Sequence, residues 1–444
     1  MMRKAIRMRA AIRGLLVWSI LAAAPAARSE GEEGREAWTL AMCLEQARAA
    51  SHRLAAAAHE VDRTDAAARE ARAARLPTLD LVGTYAYASE TMALRIGEFV
   101  PIDVPEVRFG DGNTYDLKLQ ASAPLYTGGA LSSRARAEEA AARAAREDAA
   151  SADLRLAQEV RRAFYTALGA EAQAEAARVA EGRMRRHLEE VEGAVRAGAA
   201  SEERLVEALA RLRSAEQVRI RQEGLARVEK LALGRLTGAP AREIEPAAEL
   251  GVSLFDGGAP PDTAAPGRPE LGALSERAAR SEHLARAAKG AYYPSLAAQA
   301  AYHRAKPGVD AIDNEWMDYG TVGVTLSWSL WEWGARADRV RQARAAARGI
   351  EEQRAELEEA YRSAARTARV RLSAAAEQEA KAAERIDLGN RRRLLVEGRY
   401  RQGAATESEY LDAEDDLAAA EIDRAQARAA VRLAEADLLY ALGR

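Results

Sequence analysis

The segment VEGAVRAGAASE at residues 191–202 recurs 205 positions later, from 191 to 396, as VEGRYRQGAATE at residues 396–407. At the same spacing, LYTGGA at 125–130 recurs as LWEWGA at 330–335. Two matches that keep one spacing indicate an internal duplication, because unrelated segments do not stay in register over such a distance. We therefore expect two structural repeats of one kind.

The composition is typical of long helices with narrow apolar seams. Hydrophobic residues make up 48% of the chain but aromatic residues only 5%, and 30% of the residues are charged. Such a composition does not build thick globular cores. The formal net charge of −3, without a basic stripe, argues against nucleic acid as a partner. A single cysteine excludes an internal disulfide.

The N-terminus, residues 1–27, is interpreted as a secretory signal peptide. Basic residues precede the apolar run at 15–24, and small residues follow it. This run is only about half as long as the roughly 20 residues that a membrane-spanning helix needs. A lipid-attachment box at Cys43 is disfavoured, because Met42 is not small and a charged segment precedes it. We expect export, with Cys43 in a helix seam.

Stretches without proline, rich in Ala, Glu and Arg, predict the helices. In the first repeat, residues 28–236, they lie at 38–75, 130–196 and 201–236, and in the second, residues 270–444, at 270–291, 335–401 and 406–442. Met184, Leu188 and Val191 have coiled-coil spacing. Gly198 and Gly403 fall where each long helix is expected to reverse. The sequence thus predicts two antiparallel helical hairpins. A proline-rich linker at 237–269 joins the two halves and should lie outside the helical body.

Between the helices the apolar period changes to two, which predicts strands. They lie at 77–88 and 114–126 in the first repeat and at 294–304 and 319–331 in the second. Their length suits tilted strands that cross a bilayer, and aromatic residues at their ends suggest interfacial girdles. Four strands cannot close a membrane barrel, so a barrel requires several copies of the chain. The alternative is two hairpins packed on a helical bundle, with the aromatic residues as core.

The repeated order of helix, two strands, long helix and helix, behind a signal peptide, resembles the TolC-like outer membrane efflux proteins. The resemblance runs from about Thr39 to Gly443, and its most specific elements are the paired turns at 196–201 and 401–406. Ser51-His52 departs from the family, since many relatives carry Asn-Pro there.

The resemblance implies a mostly α fold with transmembrane β-strands. A homotrimer would form a twelve-stranded β-barrel in the outer membrane of a diderm bacterium, in contact with lipid, continued into the periplasm by an α-helical coiled-coil tunnel. It also implies a passive channel of a tripartite efflux or type I secretion system. An inner-membrane pump would deliver substrates through a periplasmic adaptor protein. The alternative is a periplasmic structural or adaptor coiled-coil protein without a barrel.

In several relatives, acidic residues after the second turn form rings at the periplasmic entrance and set a preference for cations. Glu409 and Asp412 fit this pattern. A capping box with Thr406 is the structural alternative for Glu409. The first-repeat equivalents are Arg204 and Glu207, and a basic residue there could latch a closed tip.

The two turns are also the expected contact with the adaptor. The residues concerned are Gly198, Ser201, Leu205, Gly403, Thr406 and Tyr410. Leu205 and Tyr410 are equally compatible with ordinary packing in the helix seam. The scattered histidines lack the spacing of metal ligands, and no nucleophile elbow or phosphate loop is present. We expect no cofactor, no metal and no enzymatic activity.

Overall fold

The computed structural model describes residues 37–91, 93–94, 107–108, 111–240, 242–255, 267–310 and 314–444. Trp38–Arg444 forms one compact unit. The predicted signal peptide lies outside the described residues. So does much of the segment 89–113 between the first two predicted strands, in which Ala93–Leu94 pairs with Val107–Arg108. Within the described part of the chain, no helix has both the length and the hydropathy of a transmembrane span.

The helices follow the proline-free stretches. They are α1 Leu40–Ala50, α2 His52–Ala73, α3 Ala130–Arg196, α4 Glu202–Leu236, α5 Pro269–Lys289, α6 Ala335–Arg401 and α7 Glu407–Ala441, with a 3-10 turn at Gly290–Tyr292 after α5. α3 and α6 are each 67 residues long. At 1.5 Å per residue, each is about 100 Å long.

The helix expected at 38–75 is interrupted at Ser51. The backbone of Ser51 is extended, with φ −75° and ψ 105°, and its hydroxyl oxygen accepts a hydrogen bond from the Leu54 N–H at 3.2 Å. The serine therefore ends α1 and caps α2, because its side chain offers the backbone an alternative to the helical hydrogen bond.

α3 is the central helix of the body. It packs against α2, α4, α5 and α7, whereas α6 packs against α5 and α7. α3 buries residues along its whole length, but the buried residues of α6 are only Arg336, Val340, Ala347, Ala365, Ala368 and Ala375. The two long helices occupy different places despite their shared origin, and α4 and α6 lie at opposite margins of the helical layer.

The sheet consists of β1 Thr78–Tyr87, β2 Asn113–Tyr126, β3 Ser295–Lys306 and β4 Met317–Ser327, in the order β1-β2-β3-β4 and antiparallel throughout. The β2–β3 junction joins the two repeats. β1 and β4 are the edge strands of this sheet. β4 ends at Ser327, before the predicted residue 331. The next residue, Trp328, donates its indole N–H to the Tyr292 carbonyl at 3.3 Å.

One face of the sheet is apolar and exposed. The register places Leu81 opposite Leu119 and Leu119 opposite Tyr302, so the three side chains share a face. They are 70%, 45% and 58% exposed. The alternative of hairpins packed on a helical bundle does not describe this face, since its apolar side chains are not buried against helices.

A core lies at mid-height of the helical body. Val160 and Phe164 of α3 are fully buried, together with Cys43 of α1 and Leu233 of α4. Ile244, from the linker expected to lie outside the helical body, is 1% exposed and packs in the same cluster. Part of the linker is therefore built into the core, because an isoleucine is stabilised by leaving water.

Candidate functional site

The two helix reversals at 197–201 and 402–406 have the same backbone geometry. Gly198 has φ +75° and Gly403 has φ +72°, in the left-handed region that glycine adopts without steric cost. After each glycine, the next N–H returns to a helix carbonyl at 2.8 Å: Ala199 to Ala194, and Ala404 to Arg399. Both long helices thus end in a compact glycine-based turn.

The helices that leave the turns begin differently. Ser201 precedes α4 without a side-chain capping bond. Thr406 caps α7: its hydroxyl accepts from the Glu409 N–H at 3.2 Å, and the Glu409 carboxylate accepts from the Thr406 N–H at 2.8 Å. This is the reciprocal capping box considered from the sequence. The hydrogen bond from the Thr406 backbone lowers the pKa of Glu409, and the charge of Arg399 acts in the same direction.

Asp412 is exposed but paired. Its Oδ1 lies 2.9 Å from Nη2 of Arg211 on α4, and Nη1 of the same guanidinium lies 2.5 Å from Oδ2 of Asp415. The side chain of Asp412 is 54% exposed. Of the two predicted gate residues, one therefore caps a helix and the other bridges α7 to α4.

Leu205 and Tyr410 are half-buried. Both pack against the apolar cluster made by Met184, Leu188, Val191, Ala208, Leu212 and Leu411. Tyr410 also donates its hydroxyl proton to Glu414 at 3.3 Å. In the single chain these two residues therefore lie in the seam between the hairpins.

A polar cluster around two buried residues, which the sequence did not predict, lies beside the two turns. It consists of His187 on α3, Arg204 on α4, Tyr400 on α6 and Glu407 on α7, and is called the tip cluster below. Glu407 accepts hydrogen bonds from Arg204 Nε at 3.0 Å and Nη2 at 2.8 Å, and it also bonds His187 Nε2 and the Tyr400 hydroxyl. One carboxylate thus ties the four helices of both hairpins together.

The rings of the tip cluster are packed on each other and on Tyr410. The His187 ring centroid lies 4.7 Å from that of Tyr410, and Tyr400 stacks on Tyr410 at 5.2 Å. The Arg204 guanidinium lies 5.1 Å from the centre of the Tyr400 ring. Arg204, the basic residue for which the sequence suggested a latch, pairs with Glu407 and not with Glu409 or Asp412.

Burial and hydrogen bonding act in opposite directions on Glu407. Its side chain is 5% exposed, and burial alone would raise the pKa of this carboxyl. The hydrogen bonds and charges of His187 and Arg204 outweigh burial, so the pKa of Glu407 is lowered. Glu407 is therefore a buried carboxylate held in its ionised form by its partners.

Next to the tip cluster, a polar cavity of about 320 Å³ lies between α3, α6 and α7. Arg183 and Arg393 on its wall both pair with the buried Glu414, at 2.8 and 3.4 Å. Arg183 also bonds Glu421 at 2.9 Å. These charges neutralise one another, which makes the cavity a salt-bridged joint between hairpins. Among the described residues, no three His, Cys, Asp or Glu side chains converge as a metal site.

The family model described as "Outer membrane efflux protein" matches residues 43–239 and 261–444. Among curated proteins, no sequence matches this chain significantly.

Solved structures share the fold at low sequence identity. The CmeC outer membrane channel of Campylobacter jejuni is similar with a TM-score of 0.75 and 18% identity, over 91% of this chain and 85% of that one. VceC of Vibrio cholerae gives 0.72 and 18%, over 91% and 96%. The open state of the MtrE outer membrane channel of Neisseria gonorrhoeae gives 0.73 and 18%, over 91% and 88%.

Proposed function

We propose, from the premise that this chain belongs to the outer membrane efflux protein family, that three copies assemble into one continuous duct. The protein is an outer-membrane efflux channel of tripartite systems, with its helical body in the periplasm. The family is one of passive channels, so energy for export has to come from another protein.

The observation that carries the proposal is the open sheet. Among the described strands, β1 and β4 have no neighbour on their outer sides, and the apolar face of the sheet is exposed. In lipid, every backbone group needs a partner, so a four-stranded sheet is stable there only if its edges meet other strands. Pairing β4 of one copy with β1 of the next closes a ring, and three copies give twelve strands, within the range of membrane barrels.

The helical layer has the same two open sides. α4 exposes Val206, Ile220 and Val228, each about 60% exposed, and α6 exposes Leu388 and Leu395 at 64% and 70%. Apolar side chains on two opposite margins favour head-to-tail contact between identical copies. The same rotation that pairs β4 with β1 brings α6 against α4 of the next copy, so barrel and tunnel close together.

The glycine turns stand at the periplasmic end in this assembly. Gly198, Ser201, Gly403 and Thr406 shape the tip that a periplasmic adaptor protein would grip, with Leu205 and Tyr410 stabilising it from within the seam. The adaptor would connect the channel to an inner-membrane pump. Its contact is expected on the turn backbones, because the two apolar side chains are already packed.

The entrance charge is assigned to Asp412 and Glu409 on α7. Three copies of each carboxylate around one axis would attract cations and repel anions, as charged rings do in other channels. Glu409 serves a second role there as the capping residue of α7. Asp412→Asn is expected to lower cation preference, and unchanged selectivity would remove Asp412 from the gate.

The assembly is tested on the full-length protein. We expect a heat-sensitive oligomer that stays in the outer-membrane fraction after carbonate extraction, and ion conductance in planar bilayers. A soluble monomer that needs no detergent would contradict the proposal and favour a periplasmic coiled-coil protein instead.

A further inference from the structure

Arg211 holds two carboxylates at once near the proposed entrance. Its Nη2 lies 2.9 Å from Asp412 Oδ1, and its Nη1 lies 2.5 Å from Asp415 Oδ2. Asp412 and Asp415 are three residues apart on α7, so they share one face of that helix. Arg211 comes from α4, the helix that leaves the other turn. The planar guanidinium suits this geometry, because its separate N–H groups reach two acceptors in one plane.

We infer that Arg211 is the counter-charge of the entrance and sets how strongly the channel prefers cations. The inference rests on the proposed function, since it takes Asp412 to lie at the entrance. Because the ion pair is direct, any ring that contains Asp412 also contains Arg211. Each chain then presents one net negative charge from these three side chains instead of two.

The size of the effect depends on salt, because all three groups reach solvent. Their side chains are 33%, 54% and 49% exposed for Arg211, Asp412 and Asp415. The Debye length is about 10 Å at 0.1 M salt and about 3 Å at 1 M. Three unit charges one Debye length, about 10 Å, from the axis would change the cation and the anion concentrations about twofold each, in opposite directions, at 0.1 M. The cation-to-anion ratio then changes about fivefold at 0.1 M and much less at 1 M.

The test measures reversal potentials of the full-length protein in planar bilayers under a KCl gradient centred near 0.1 M, a salt level at which wall charges are only partly screened. Arg211→Gln is expected to raise the K⁺-to-Cl⁻ permeability ratio about fivefold. Arg211→Lys keeps the charge and should stay near the natural protein. Arg213→Gln is the matched control, because Arg213 is on the same helix and its ion pair, at 2.7 Å, is with Glu216 of that helix.

A ratio for Arg211→Gln equal to that of the natural protein overturns the inference. So does an Arg211→Lys variant that behaves like Arg211→Gln, since charge would then not be the determinant. If Arg211→Gln does not assemble, Asp415→Asn decides: it leaves Arg211 and Asp412 as a neutral pair, so the ratio should fall, and an unchanged ratio overturns the inference. Absence of any conductance in the natural protein contradicts the proposed function itself, which separates the two failures.

Discussion

The imidazole of His187 on α3 hydrogen-bonds the carboxylate of Glu407 on α7, and the two side chains are 3% and 5% exposed. This pair joins one helical hairpin to the other at the end of the body where both long helices reverse. Removing one partner from a buried ionic network leaves the others without compensation, which costs about 3–5 kcal/mol. The tip cluster is thus a polar connection between the two hairpins whose loss is costly.

Glu407→Gln is expected to loosen the two hairpins and to raise single-channel conductance in planar bilayers. Asp423→Asn is the control, because it removes an exposed α6–α7 ion pair with Arg385, whose side chains are 55% and 51% exposed. Exposed pairs contribute at most about 1 kcal/mol. Equal conductance of Glu407→Gln and the natural protein would show that the cluster does not hold the tip closed.

The tip should lose stability in acid. A carboxyl whose pKa is lowered on folding stabilises the fold above its ordinary pKa of 4.5, and this contribution disappears as pH falls through the lower folded value. Glu407 follows that rule. The fall in thermal stability below pH 4.5 should therefore be shallower in Glu407→Gln than in the natural protein. Parallel pH profiles of the two proteins would contradict the assignment.

Gly403→Ala and Gly198→Ala are each expected to destabilise their turn by about 1–2 kcal/mol, because alanine is strained at positive φ. Amide hydrogen exchange of the last turn of α6 or α3 should accelerate accordingly. Gly398→Ala is the matched control, since Gly398 lies inside α6 with open space around it and alanine favours helix. Unchanged protection of both turns would contradict the prediction that these two positions need a residue that adopts positive φ without strain.

Leu81→Arg should impair insertion into the outer membrane, because the Leu81 side chain lies on the apolar face of the sheet. An arginine on a lipid-facing strand costs about 2–4 kcal/mol near the midplane. Thr84→Arg, on the opposite face of the same strand, should be tolerated. Heat-sensitive oligomer in the membrane fraction is the readout, and equal yields would contradict the proposed orientation of the sheet.

Local signals in the sequence were sufficient for most of the fold. Gly198 and Gly403 mark the reversals, and the alternation around Leu119 gives the apolar face, because both signals act over a few residues. The break at Ser51 was missed, since an Ala- and Arg-rich stretch gives no warning that a serine will cap the next helix. The hydrogen bond between His187 and Glu407 was missed, because the two residues are 220 positions apart and Glu407 resembles any acidic residue in a first helical turn.

The β2–β3 junction has a consequence for how assembly depends on concentration. It brings a strand of the first repeat against one of the second within a single covalent chain, and the proposed β4–β1 contact repeats that arrangement between chains. Half of the six equivalent seams in a trimer are then intramolecular, formed at an effective concentration on the order of millimolar. Gene fusion of two half-length units would thus have turned a six-body encounter into a three-body one while leaving the wall of the duct unchanged.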